Sequence, residues 1–205
     1  MRGLVALALL VAVAVPAGAH HVGVYTPRDN EITTNFKQIK FSLQARKFDV
    51  ALRLFEQGAL RAAMREKAGT LPAGLEAGTL AALRSGDALE VERRLMIFFA
   101  ALTRELAIEA DYRLADPTLS PPARAATAQR FLEAMWRYYN LVDFAVSSRD
   151  SKTSTAVRLA FDEAEGDAKT TSASEADRLR RPLRRIAQIL SSLIDTSSPS
   201  PRRDS

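Results

Sequence analysis

The sequence predicts an all-α protein, an antiparallel helical bundle or stacked helical hairpins of six to seven helices. Three observations carry this. No segment alternates apolar and polar residues at period two. Apolar residues instead recur every three and four positions, the spacing of one helix face. Prolines, glycines and Ser/Asp pairs fall between these stretches and leave short connections, which favour antiparallel neighbours.

The elements follow in order. Arg2 and the apolar run Leu4–Val15, then Pro16 and Ala17-Gly18-Ala19, have the three zones of a secretory leader. Residues 1–19 are therefore expected to be a signal peptide, removed near Ala19 on export to the periplasm or beyond. Residues 20–31 read as an extended arm, with Gly23, Pro27 and Asp29-Asn30. A first helix is expected over residues 32–45. A second, capped by Asp49, is expected over 49–67. A loop at 69–78 precedes a short helix to residue 84. Ser85-Gly86-Asp87 then opens a long helix over 88–114, with Leu95, Phe98 or Phe99, Leu102, Leu106 and Ala110 as its stripe.

Asp116-Pro117 ends that helix, and Ser120-Pro121-Pro122 starts the next, since proline suits the first turn. The helix over 121–147 takes Phe131, Met135, Tyr138, Leu141/Val142 and Ala145 as its apolar face. Trp136, Tyr139 and Phe144 lie on its other faces, so it is expected to be the central, nearly surrounded helix. Thr153/Ser154 is expected to cap a helix through Glu165. Together, residues 32–165 form the expected helical domain. Residues 166–174 read as a polar linker and 175–195 as a basic amphipathic helix, kinked or begun at Pro182. Residues 196–205 read as a disordered tail.

Composition narrows the function classes. The chain has no cysteine, which removes disulfides, thiolate nucleophiles and zinc fingers together. It has two histidines, no G-x-S-x-G elbow and no glycine-rich phosphate loop, so no enzyme is expected. The net charge of +5 includes Arg2, which leaves with the leader. The last 32 residues hold seven arginines and four acids, so the basic excess lies at the C-terminus. An exported chain seldom meets nucleic acid, so an anionic membrane surface or an acidic partner is the expectation. Arg178, Arg181 and Arg185 instead suggest peripheral contact with an anionic membrane surface.

The stretch Phe41–Leu60 resembles the middle of a tetratricopeptide hairpin. Phe48, Ala51 and Phe55 match the family's aromatic, small and aromatic positions. The small residue expected early in the first helix is absent, and no proline closes the repeat. The resemblance implies a close-packed helical hairpin over about twenty residues rather than a repeat array. A full array would imply peptide or protein binding.

Four constellations are candidate sites. His20 and His21 are the only histidines and fall at the expected mature N-terminus. A free amine with imidazole nitrogen is a copper ligand set, so copper is the candidate metal, with no cofactor required by the body of the protein. Glu105 and Glu109 share a helix face and form a second tier of candidate ligands. Trp136, Tyr139 and Phe144 form the densest aromatic segment and could line a groove for a partner. The fourth is the arginine group already named. The functional expectation is a non-enzymatic exported protein that binds or scaffolds an exported or membrane protein. The alternative is a metal-binding accessory protein handling copper or iron.

Overall fold

A computed structural model describes residues 28–170 and 176–198. The expectations for the leader, the histidine pair, most of the arm and the end of the tail lie outside these residues. The described residues form eight helices and no strand: α1 Glu31–Gln44, α2 Phe48–Gln57, α3 Ala59–Glu66, α4 Leu75–Ser85, α5 Ala88–Leu114, α6 Pro121–Arg149, α7 Ser151–Thr170 and α8 Ala176–Ser197. The all-α expectation is met, with a count slightly above six to seven.

The extra helix comes from a break in the expected helix over 49–67. Asn35, on α1, reaches between α2 and α3. Its Nδ2 donates to the Leu54 carbonyl at 3.0 Å, and its Oδ1 accepts from the Leu60 amide at 3.1 Å. One buried amide thus satisfies the end of α2 and the start of α3. Gly58 stands at the junction because a Cβ there would collide with the Asn35 amide and the Leu54 carbonyl.

Other boundaries follow local capping. Asn30 caps α1 in a reciprocal box with Thr33, with both bonds at 2.9 Å. Asp87 caps α5 through the Glu90 amide. Helix α7 begins at Ser151, before the expected Thr153/Ser154 cap. Asp150 accepts from the Lys152 and Thr153 amides and performs that role. The same helix runs past Glu165 to Thr170, through residues expected to be linker. Ala164 and Ala168 are buried there, and Asp167 meets Arg178 of α8 at 2.8 Å. Packing therefore overrides the polar composition of that stretch.

Helices α5, α6, α7 and α8 pack in a ring as a four-helix bundle, each against the next and α8 back against α5. Helices α1–α4 form a second layer, which meets the bundle chiefly through α4 on α5 and also through side chains of α1. The central helix is α5, not α6 as expected. Residues 95–103 of α5 are all buried, because both layers need its surface. In α6 the buried line is Ala128, Leu132, Met135, Tyr139, Val142 and Val146. That line has one wall of the bundle to cover, so Tyr138 and Phe131 turn only partly inward.

Candidate functional site

Helix α1 is fastened to the bundle by an aromatic cluster. Phe99 meets Phe36 edge-on at 4.8 Å, Phe98 at 5.2 Å and Tyr138 at 5.9 Å. The Asn30 amide also donates to the Tyr138 hydroxyl at 3.0 Å. Beyond this cluster, the C-terminal halves of α1 and α6 flank the first turns of α5. Between them lies a groove of about 320 Å³. That is the lower end of the size of small-ligand sites.

The groove has two kinds of lining. Its body is apolar, with Phe36 and Leu43 from α1, Leu95 from α5, and Leu141, Val142 and Ala145 from α6. Gln44, Ser148 and Arg149 gather where α1 and α6 both end. Lys40 and Glu92 also line it, and the Lys40 ammonium sits 5.9 Å over the Phe36 ring. Two large apolar side chains stand out at the rim: Leu89 is 74% exposed and Phe144 is 78% exposed. Exposed leucine and phenylalanine beside an apolar groove add to its apolar surface, a feature that marks binding sites.

Of the three aromatic residues expected to line a groove, only Phe144 does so. Tyr139 is fully buried, and Trp136 packs edge-on against Phe161 of α7 at 5.3 Å. Both hold α6 to α7. Burial, and next the negative charge of Asp143, push the Tyr139 hydroxyl well above its ordinary pKa. Asp143 is itself buried. It accepts from the Ser154 hydroxyl at 2.9 Å and pairs with Arg158. These groups form a structural polar cluster that spans α6 and α7.

The carboxylates Glu105 and Glu109 do not converge. Glu105 reaches Lys67 at 2.8 Å and the Thr70 hydroxyl, closing the loop after α3. Glu109 pairs with Arg113 on its own helix at 2.6 Å. Among the described residues, no group of three or more His, Cys, Asp or Glu side chains could hold a metal. The arginines of α8 face acids of neighbouring helices. Arg178 meets Asp167, Arg181 and Arg185 share Glu163, and Arg180 and Arg184 share Asp111. No helix of the described residues is long and apolar enough to cross a membrane.

Sequence reasoning missed Leu89, Lys40 and Arg149. A signal existed for the first. Leu89 falls outside the inward stripe of α5, just as Phe144 falls outside that of α6. Two off-stripe apolar residues near helix ends were readable, but not that they would meet. Compared with protein-family models, with curated proteins and with solved structures, the chain matches none.

Proposed function

We propose that this is a non-enzymatic, exported binding protein whose working surface is the groove between α1, α5 and α6. The observation that supports it is the pair Leu89 and Phe144, largely exposed beside an apolar recess. Leaving such side chains in water costs hydrophobic free energy, on the order of 1.5–3 kcal/mol for each when compared with burial. Occupancy of the groove by an apolar group from an exported or membrane partner recovers part of it. The export reading rests on the leader pattern of residues 1–19.

The test uses Nile red, a neutral dye that brightens in apolar sites. The full chain is expected to bind about one dye molecule. Leu89→Asp and Phe144→Asp are expected to lower that affinity about tenfold or more, with melting temperatures unchanged because both sites are exposed. Equal dye binding by wild type and both variants would remove the groove from the function. N-terminal sequencing of protein from its own host tests the export reading, with a mature chain beginning near His20 as the expected result.

A further inference from the structure

We propose that the groove takes a single-chain amphiphile with one anionic head, of the medium-chain alkanoate class. This rests on the groove being the working surface. Three observations point to it.

The first is polarity along the groove. Phe36, Leu43, Leu95, Leu141, Val142 and Ala145 give it an apolar wall, while Lys40 stands over Phe36 and Gln44 and Arg149 line it where α1 and α6 end. An apolar wall edged by cations suits a molecule with an apolar tail and an anionic head. The second is charge. Lys40 and Arg149 outnumber Glu92 in the lining, which leaves one positive charge in excess. Among the described residues Arg149 makes no ion pair, so its guanidinium is open to a carboxylate, with the Gln44 amide as a further donor. The third is volume. At roughly 30 Å³ per non-hydrogen atom, about the share of a water molecule in the liquid, 320 Å³ holds about ten such atoms, a chain of eight carbons with its two carboxylate oxygens.

The test is calorimetric titration of the full chain with sodium hexanoate, octanoate, decanoate and dodecanoate, below their micelle concentrations. Affinity is expected to rise about fourfold per methylene up to octanoate and to level off after it. Decanoate is expected to displace Nile red. It should also bind at least tenfold more tightly than decyltrimethylammonium, which presents the wrong charge to Arg149. Arg149→Gln is expected to weaken decanoate about tenfold and leave decanol unchanged, which separates loss of the head contact from misfolding. A flat length series, or equal binding of the cationic amphiphile, would overturn the proposal. If Nile red still binds and is lost in Leu89→Asp, the groove reading then survives while the alkanoate assignment falls. If neither dye nor alkanoate binds, both fall. Sedimentation showing a dimer that Phe144→Asp converts to monomer would also overturn it, giving the groove to a second copy of the chain.

Discussion

Asn35 shows how much one side chain decides. Its amide bridges the Leu54 carbonyl and the Leu60 amide in a buried site. Asn35→Ala is therefore expected to cost about 1–3 kcal/mol, since it leaves buried backbone groups unpaired. Gly58→Ala is expected to destabilise by a similar amount, about 1–3 kcal/mol, because its Cβ overpacks the same point. Urea unfolding checks both, and a neutral Gly58→Ala would disprove the close approach. Acid sensitivity is also set by single residues. The hydrogen bond from Arg61 holds the Glu76 carboxyl below its ordinary 4.5, and the one from Arg93 does the same for Glu90. A carboxylate whose pKa is depressed in the folded state stabilises the fold above the unfolded pKa. That contribution is lost as the pH falls through the folded value. The melting temperature is thus expected to hold above about pH 5 and to fall below about pH 4.5. In Glu76→Gln and Glu90→Gln that acid limb should be shallower. An unchanged slope in both would show that these pairs do not govern it.

At the scale of the element, α8 carries a residue that opposes its own helix. Pro182 lies inside the helix rather than at its start. Proline removes one helical hydrogen bond and crowds the preceding turn. Pro182→Ala is expected to stabilise the protein by about 1–3 kcal/mol, measurable as a higher melting temperature. A lower melting temperature would mean that the proline ring's own packing outweighs the lost bond. The arginine ladder of α8 shows why a basic amphipathic pattern was only half informative. The charges are real, but Asp111, Glu163 and Asp167 arrive from α5 and α7 to meet them. Nothing local in residues 175–195 names those partners. Arg181 and Arg185 are exposed, and such pairs contribute little each, about 0–1 kcal/mol, so Arg181→Ala and Arg185→Ala should move stability slightly.

At the scale of the whole molecule, α5 joins the two layers. Its residues 95–103 are buried between the bundle and the α1–α4 layer. Phe99 touches Phe36 of one layer and Tyr138 of the other. Phe99→Ala is expected to cost about 3–5 kcal/mol. Because the cluster fastens α1, amide exchange in α1 should speed up more than in α7. The wild-type protein should unfold in one transition, since neither layer can shed α5 without exposing its core. Two resolved transitions would contradict that shared-helix account.

The sequence by itself determined the fold class and most helix boundaries. Three- and four-residue apolar spacing, the Ser85-Gly86-Asp87 break before the long helix, and Pro121-Pro122 as a start are local signals, set within a turn or two of chain. It also supplied Phe144 as a binding candidate. Tertiary structure decided which faces met. It made α5 the centre by giving it two layers to cover and sent Tyr139 and Trp136 into the α6–α7 contact. It also answered the α8 arginines with acids from other helices. Above all, it brought Leu89 and Arg149, sixty residues apart in sequence, to one groove with Lys40. Local propensity fixes where a helix begins and ends, but a groove is a relation between three helices, and no single stretch of sequence contains it.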